Sequence, residues 1–269
     1  AVSIRLHFYF EMTFIDVGQG DGIYMETPEG TTVLIDGGSS DNKKLYEYTL
    51  EPFLLSKGRK YLDAVIVTHC DNDHISGIRK IFTEDNIKVK TLYMPSTTMT
   101  DEVYTELIEL AAESGTDIKY IYEGYSMTEK DFYMYCLHPE YEYDTSERND
   151  YSTTLYIRYD NFSALLTGDI SGEIENNILQ KYKDFPQVTI LKAAHHGSRF
   201  SNTEDFIDEF APQNIVISCG KDNSYGHPHR ETIERFENKG IPWLTTMENG
   251  AITVIVNKNN TEINTYLDK

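Results

Sequence analysis

The sequence is poor in cysteine, in long hydrophobic runs and in positive charge. Its three cysteines, Cys70, Cys136 and Cys219, lie far apart and form no CxxC pair. Neither a disulfide framework nor a thiolate zinc site is indicated, and we expect three buried free thiols. No segment approaches the roughly 18 consecutive apolar residues that a membrane span requires, so we expect the chain itself to be a soluble domain.

The charge is strongly unbalanced toward acid. The chain has 24 Lys and Arg against 44 Asp and Glu, which gives a formal net charge of −20 at pH 7. This balance argues against a protein that holds nucleic acid on a broad basic surface. Some of the acidic residues are candidate metal ligands, and two divalent cations would return about four positive charges at one point.

Repeats, low-complexity stretches and Pro- or Ser-rich linkers are also missing from the 269 residues. We therefore expect one domain over residues 1–269, with a core over about 11–257. Residue 1 is Ala rather than Met, and no signal-peptide pattern follows it. We take this as an indication that the domain is excised from a larger protein.

The pattern of apolar residues predicts strands first, followed by helix and strand in alternation, and this plan occurs twice. Such a chain suits two β-sheets packed together with helices outside both, an α/β (α+β) fold with four αββα layers. The predicted strands are 12–17, 23–27, 32–35, 62–68, 90–94, 117–121, 131–137, 153–159, 162–167, 187–191, 214–218 and a final pair, and the predicted helices are 43–56, 75–82, 101–114, 171–183, 203–210 and 229–238.

One short loop carries four candidate metal ligands. It follows directly on the apolar strand 64–67, precedes a predicted helix, and contains His69, Asp71, Asp73 and His74. Imidazole and carboxylate are ligand types for zinc, manganese and iron, and a loop between rigid elements can direct them to one point. The alternative is a polar turn with an Asp cap, but an HxDxDH pattern in this position favours a metal site.

This loop resembles the HxHxDH signature of the metallo-β-lactamase superfamily, with Asp71 in place of the second His. A carboxylate in place of an imidazole makes the site harder, which favours manganese without excluding zinc. Three more landmarks of the superfamily follow its order along the chain, LIDGG at 34–38, LTGD at 166–169 and AHHGS at 194–198. The resemblance covers nearly the whole chain and implies the four-layer αββα sandwich, two divalent metal ions (Mn or Zn) and a metallo-hydrolase.

The resemblance also implies roles for particular residues. Asp36 would orient the metal loop by hydrogen bonds, Asp169 would bridge both metals, and His196 would complete the ligands of the second metal. His195 and His196 are adjacent, so their side chains point in different directions. We favour His196 for the metal and assign His195 to the substrate side.

The superfamily usually supplies one further His, some twenty to thirty residues before the bridging Asp. His138 is the only His in this interval, and we expect it to be a loop or core residue rather than a ligand. Asn149 and Ser152 lie nearer to the expected position. The first metal is therefore expected to be short of a ligand.

Four features narrow the resemblance further. FIDVGQGD at 14–21, Asp71, HHGS at 195–198 and YGHPH at 225–229 resemble the C-terminal domain of ComEC-type DNA-uptake proteins. Proteins of this family are membrane proteins with this domain appended. The resemblance implies hydrolysis of phosphodiester bonds in the DNA strand that is not transported. Single-stranded DNA would be the substrate, and the parent protein would lie in the bacterial cell membrane, on a side that the sequence does not indicate.

Some residues are assigned to catalysis or placed near it. The catalytic set is Asp73, His195 and His227, of which His227 would contact phosphate or act as an acid beside the N-terminus of helix 229–238. The alternative for His227 is a capping or turn-fixing role, and His229 is expected to be structural. Gln19 and Asp21 are candidates for residues behind the metals, and Lys192, Arg199 and Lys221 are candidate phosphate contacts.

Two other functions stay open. The first is a stand-alone metallo-hydrolase of a small phosphodiester, lactone or thioester, which the negative charge favours. The second is a module that binds a ligand or partner at a metal site without turnover. The complete order of ligand types argues against the second function, because a buried cluster of Asp and His is costly without a metal.

Overall fold

The computed structural model describes residues 8–84, 86–258 and 260–267, which form two large β-sheets with helices on their outer faces. The strands are β1 (Phe10–Phe14), β2 (Ile23–Glu26), β3 (Thr32–Ile35), β4 (Tyr61–Ile66), β5 (Lys88–Pro95), β6 (Asp117–Ile121), β7 (Ser126–Glu129), β8 (Phe132–His138), β9 (Thr154–Tyr159), β10 (Phe162–Leu166), β11 (Ile190–Lys192), β12 (Asn214–Ile217), β13 (Trp243–Thr245), β14 (Ile252–Asn257) and β15 (Asn260–Thr265). The helices are α1 (Glu51–Ser56), α2 (Asn72–Thr83), α3 (Glu102–Glu113), α4 (Gly172–Lys181), α5 (Glu204–Phe210), α6 (Arg230–Asn238) and α7 (Thr246–Asn249).

The order of strands brings the ends of distant segments together. The first sheet has the order β15-β14-β1-β2-β3-β4-β5-β6, and the second has the order β13-β12-β11-β10-β9-β8-β7. Strands β3 to β6 run parallel, as do β10 to β13. Because parallel strands end at the same edge of a sheet, the loops after β3 and β4 are neighbours, and so are the loops after β10, β11 and β12.

Three apolar cores fill the spaces between four layers. The central core joins the facing sides of the sheets and contains Phe10, Met12 and Phe162. A second core packs the first sheet against the helices of the N-terminal half, and a third packs the second sheet against α4, α5 and α6. The expected αββα sandwich is therefore confirmed.

The differences from the predicted elements have local causes. The first strand ends at Phe14 rather than Val17, because the chain leaves the sheet there and buries Val17 on the helix side. Predicted helix 43–56 begins later, as a π-helical segment Tyr46–Leu50 that continues into α1. Strands β7 and β13 and helix α7 were not predicted, since each has only three or four residues and too little pattern to recognise.

The expectation about the cysteines is confirmed, because all three are free and buried. Within the described ranges, no helix has both the length and the apolar character needed to cross a membrane.

Candidate metal centre

Asp36 fixes the metal loop from behind. This residue follows β3 with a left-handed backbone (φ 55°) and accepts hydrogen bonds from the backbone N–H and the hydroxyl of Thr68, at 2.8 and 2.7 Å. Its Oδ2 also lies 2.8 Å from Nδ1 of His74. A histidine held through Nδ1 presents Nε2 on the opposite side of the ring, which here faces the cluster.

Two glycines of the motifs permit the close approach of three loops. A Cβ atom on Gly38 would lie 2.5 Å from the backbone nitrogen of His74, and one on Gly20 would lie 2.3 Å from the carbonyl oxygen of Asp73. Any larger residue would push the metal loop away. The GQGD and DGG motifs therefore clamp the loop that carries the candidate ligands.

His196 enters the cluster from the second sheet. It lies in the turn after β11 with a left-handed backbone (φ 53°), and its Nδ1 lies 2.9 Å from the carbonyl oxygen of Ser218. Its Nε2 lies 3.3 Å from Oδ2 of Asp169 and 3.5 Å from Oδ2 of Asp73. The adjacent His195 is farther out, with Nε2 3.9 Å from Asp169 and 32% of its side chain exposed.

Several buried atoms at this point have no hydrogen-bond partner. They are Nε2 of His69, His74 and His196 and Oδ1 of Asp169. Among the described residues, the sets His69, His74, Asp169 and Asp73, His74, His196 each place their ligand atoms within 4.8 Å of one another. Imidazole nitrogens and carboxylate oxygens that converge without partners fit divalent cations, and the donor set contains no thiolate.

The candidate ligands form two groups around Asp169. We call Asp73, His74 and His196 the inner group, and His69 and Asp71 the outer group. The inner histidines are at most 1% exposed, whereas the side chain of Asp71 is 38% exposed. Oδ2 of Asp71 lies 3.6 Å from Nε2 of His69, so the outer group pairs a buried histidine with a carboxylate at the edge of the site.

The carboxylates attract positive charge to this point. Although burial opposes the charged form, the carboxylate of Asp169 raises the pKa of His196 to about 10. Burial likewise opposes ionisation of Asp169, yet His196 and His74 hold the pKa of that carboxyl well below its usual range. Cations that bind here must displace these protons, so metal binding is linked to pH.

Lys192 lies behind the cluster and not in front of it. It is 1% exposed, pairs with Asp21, and donates to the carbonyl oxygen of Gly168 at 3.0 Å. Its Nζ also lies 3.7 Å from Oδ1 of Asp169. Burial opposes its charge, but Asp21 and Asp169 raise the pKa of Lys192. Lys192 is therefore neither a phosphate contact, the candidate role, nor a solvated surface lysine, because the strand that carries it directs the side chain into the protein.

Asp21 is closer to the metals than the sequence indicated. It is 2% exposed, and its carboxylate oxygens lie 3.8 Å from Nδ1 of His74 and 3.8 Å from Nδ1 of His196. Asp21 and Lys192 thus form a buried ion pair beneath the inner group. Gln19, from the same loop, accepts a hydrogen bond from the backbone N–H of Gly220 and lines the cleft.

A loop between β8 and β9 borders the outer group. Nη1 of Arg148 donates to Oδ1 of Asp71 at 3.0 Å, and Nε of Arg148 donates to Asp101 at 2.8 Å. Asn149 lines the cleft beside Asp71, and the hydroxyl of Ser152 accepts from the backbone N–H of Asp169. No sequence pattern indicated Arg148, because its partners are 77 and 47 residues away.

His138 lies outside the cluster. Its Nε2 is 2.6 Å from the carbonyl oxygen of Asp150, so it secures the loop that bears Arg148 and Asn149. Burial lowers the pKa of His138 to about 4. The neutral ring donates this hydrogen bond, in line with the expectation of a loop or core histidine.

A narrow cleft opens over the candidate ligands. Its walls include Asn149, His195, Tyr225 and His227. The ring of His227 lies 5.4 Å from that of His195 and 6.0 Å from that of His196, and its Nδ1 has no partner. Burial and the neighbouring imidazoles of His196 and His195 lower the pKa of His227 to about 3, so His227 is neutral at pH 7.

The remaining basic candidates do not line the cleft. Arg199 pairs with Glu231 at 3.4 Å and lies over the ring of Phe200. Lys221 is exposed. Nδ1 of His229 accepts a hydrogen bond from the backbone N–H of Arg199 at 3.2 Å, which is a structural contact at the start of α6.

Comparison with known proteins agrees with the fold. Residues 15–107 match the model of the metallo-beta-lactamase superfamily. The chain is 34% identical over 255 residues to ComE operon protein 3 of Bacillus subtilis, which covers 90% of the chain and 32% of that protein. It is 26% identical to competence protein ComA of Neisseria gonorrhoeae, covering 90% of the chain and 31% of that protein.

Among solved structures, the metallo-beta-lactamase fold protein YhfI from Bacillus subtilis superposes with a TM-score of 0.59 at 13% identity, and the match covers 91% of the chain and 99% of YhfI. These findings identify the chain as a metallo-β-lactamase superfamily domain that carries a candidate Asp and His metal cluster. Within that superfamily it resembles one part of the competence proteins. The chain spans about a third of the length of these two relatives.

Proposed function

We propose that this domain is a two-metal phosphodiester hydrolase, and that it degrades the DNA strand that is not transported during DNA uptake. The observation that carries the proposal is the convergence of the inner and outer groups on one cleft, with four buried ligand atoms that have no other partner. Similarity to a protein named for competence supports a DNA substrate.

The charges of the site suit a phosphodiester. Five carboxylates meet two buried or half-buried cations, and two divalent ions would leave the centre with a net charge near +1 (−5 + 2 + 4). A phosphodiester carries one negative charge and would be attracted. The carboxylates are Asp21, Asp36, Asp71, Asp73 and Asp169, and the cations are Lys192 and Arg148.

Divalent cations in such a centre act as Lewis acids and lower the pKa of bound water. We assign His69, Asp71, Asp73, His74, Asp169 and His196 to hold them, with Asp169 shared between the two groups. Asp36 keeps the ring of His74 in place through its 2.8 Å hydrogen bond.

His227 and His195 face the space in front of the ligands, where the phosphate would lie. Because His227 is neutral at pH 7, it would contact a phosphate oxygen as a neutral hydrogen-bond donor. This favours the phosphate-contact role of His227 over that of a general acid. His195, whose pKa burial also lowers but whose side chain is 32% exposed, is the remaining candidate for the group that protonates the leaving alkoxide.

A second candidate is a stand-alone hydrolase of a small phosphodiester. The observation in its favour is that no Lys or Arg is among the described residues that line the cleft, so long nucleic acid gains little electrostatic attraction there. If the domain is attached to an uptake channel, delivery of the strand replaces intrinsic affinity by raising the local concentration.

The test uses metal-stripped protein with Mn²⁺ or Zn²⁺ added back. We expect hydrolysis of bis-p-nitrophenyl phosphate and of end-labelled single-stranded DNA, and loss of both in Asp73→Ala. A matched control is Asp205→Ala, which removes an exposed carboxylate from α5. Cleavage of the small ester alone would favour the second candidate, and no turnover with metal bound would favour a non-catalytic metal-binding module.

A further inference from the structure

We propose that the ring of Tyr225 is a stacking platform for an unpaired base next to the scissile phosphate, and that it selects single strands over duplex. This inference rests on the proposed nuclease function and adds a substrate class to it. Tyr225 belongs to the loop between β12 and α6 and forms part of the cleft wall.

Tyr225 combines exposure with an ordered orientation. The residue is 55% exposed. Its ring lies parallel to that of His227, with centroids 5.7 Å apart and 17° between the planes. The imidazole therefore supports one side of the phenol ring, and more than half of the residue stays open to solvent.

The stacked pair connects the surface to the cluster. The ring of His227 adjoins those of His195 and His196, and His196 belongs to the inner group. A ligand whose phosphate lies against His227 would place the next group along its chain beside Tyr225. In a nucleic acid, the group next to the phosphate is a sugar that carries a base.

The chemistry of the cleft favours stacking as the source of affinity. Its other described lining residues are carboxylates, imidazoles and amides, and none is a Lys or an Arg. Every base has a π-face, so stacking on an aromatic side chain tolerates any sequence. Bases in a duplex are already stacked and paired, and only an unpaired base is free to contact the phenol ring.

The test is a two-by-two comparison of enzyme and substrate. Each oligonucleotide carries a single phosphodiester among methylphosphonate linkages, and the nucleotide beside the phosphodiester is either intact or abasic. We expect Tyr225→Ala to lower kcat/KM on the intact oligonucleotide by about ten- to a hundredfold. Its loss on the abasic oligonucleotide should be at least about tenfold smaller.

Matched variants separate stacking from structural damage. Tyr225→Phe keeps the ring and should retain the preference for the intact oligonucleotide. Tyr120→Ala removes an exposed tyrosine from β6, outside the cleft, and serves as the surface control. Wild-type protein should also cleave a single strand faster than the same sequence in duplex, and Tyr225→Ala should reduce this ratio.

Equal losses on the intact and abasic oligonucleotides would overturn the stacking proposal, since they would show that Tyr225 acts only by supporting His227. This result would leave the nuclease function intact. Wild-type protein that hydrolyses bis-p-nitrophenyl phosphate but neither oligonucleotide would overturn the nuclease function, and the stacking proposal with it.

Discussion

The inner and outer groups of the metal centre share one cleft, yet the fold holds them differently. In the inner group, His74 is fixed by Asp36 and His196 by the carbonyl oxygen of Ser218, and both rings are buried. Lys192 and Asp21 form an ion pair beneath them. These contacts join both sheets, so the inner ligands are in place before any ion binds.

The outer group depends on a loop. Asp71 is the most exposed of the candidate ligands, and its partner Arg148 lies on the connection between β8 and β9. Asn149, on the same connection, lines the cleft beside Asp71. Burial and hydrogen-bonded support therefore separate the firmly held inner ligands from Asp71, whose carboxylate is exposed and depends on a loop, whereas its neighbour His69 is itself buried. We expect the inner group to bind one ion tightly. The outer group should bind a second ion more weakly, on the substrate side.

The largest effect is expected from the buried cation beneath the inner group. Lys192→Met would leave the carboxylate of Asp21 buried without its cationic partner, and loss of one partner of a buried ion pair typically costs about 3–5 kcal/mol. The free energy of unfolding, measured in urea with a chelator, should fall by this amount. Added Mn²⁺ should restore part of the loss, because metal binding favours the folded state.

Lys181→Met is the matched control for this change. Lys181 pairs with Glu123 and Glu140 at the surface and is 38% exposed, so its loss should cost less than about 1 kcal/mol. Equal destabilisation by the two substitutions would show that the ion pair with Asp21 has no special part in the inner group.

The next effect should separate the two ions. In a calorimetric titration with Mn²⁺, wild-type protein should bind two ions in a strong and a weak step. Asp71→Ala should remove the weak step. Loss of a residue that supports a ligand typically lowers metal affinity roughly 10- to 100-fold, and loss of the ligand itself should lower it further. Asp73→Ala should instead weaken the strong step. Two Mn²⁺ ions that bind with equal affinity would contradict the division into an inner and an outer group.

A pH-dependent effect should arise in the loop that supports the outer group. Burial lowers the pKa of His138 to about 4 in the folded protein, against 6.5 for the exposed ring in the unfolded chain. Between these values the unfolded state binds more protons, so stability is complete above pH 6.5 and falls as the pH drops toward 4. The loss at pH 5 should be roughly 2 kcal/mol.

His138→Gln is the comparison for this loss. The amide can still donate to the carbonyl oxygen of Asp150 but does not titrate. Urea denaturation in the presence of a chelator should show the wild type losing stability relative to the variant between pH 7 and pH 5. If the difference between the two proteins is constant over this range, His138 is not a buried neutral histidine.

The smallest effect is expected at Arg148. Arg148→Gln removes the charged hydrogen bond to Oδ1 of Asp71. It should lower the affinity of the outer group for Mn²⁺ about tenfold, at the lower end of the range for supporting residues. The affinity of the inner group should stay the same. Arg158→Gln, on the exposed face of β9, is the control. A change in the first step instead would mean that Arg148 supports the inner group.

Much of this fold was predictable from the sequence, because runs of apolar residues and their spacing indicate strands and helices. Strand β3 and strand β6 have the predicted bounds, and helix α3 differs from its prediction by one residue at each end. Strands β7 and β13 were missed, since each has three or four residues of which at most two are apolar. The first strand was predicted to continue to Val17, because a buried apolar residue in a loop cannot be told by sequence from a buried residue of the strand.

The candidate ligands themselves were also predictable, since His69, Asp71, Asp73 and His74 all lie within eight residues of the end of β4. The surroundings of these ligands were not. Lys192 was a candidate phosphate contact and lies behind the cluster, and neither Arg148 nor Tyr225 was recognised as part of the site. The positions of Lys192 and Arg148 depend on partners far along the chain.

The sequence by itself determined the type of fold and the chemistry of the donor set, because periodicity and local motifs are properties of neighbouring residues. Only the tertiary structure decided which of His195 and His196 faces the cluster, what lies beneath the inner group and what borders the outer group. Those outcomes follow from the meeting of two sheet edges, where residues from the first and last quarters of the chain come within hydrogen-bond distance.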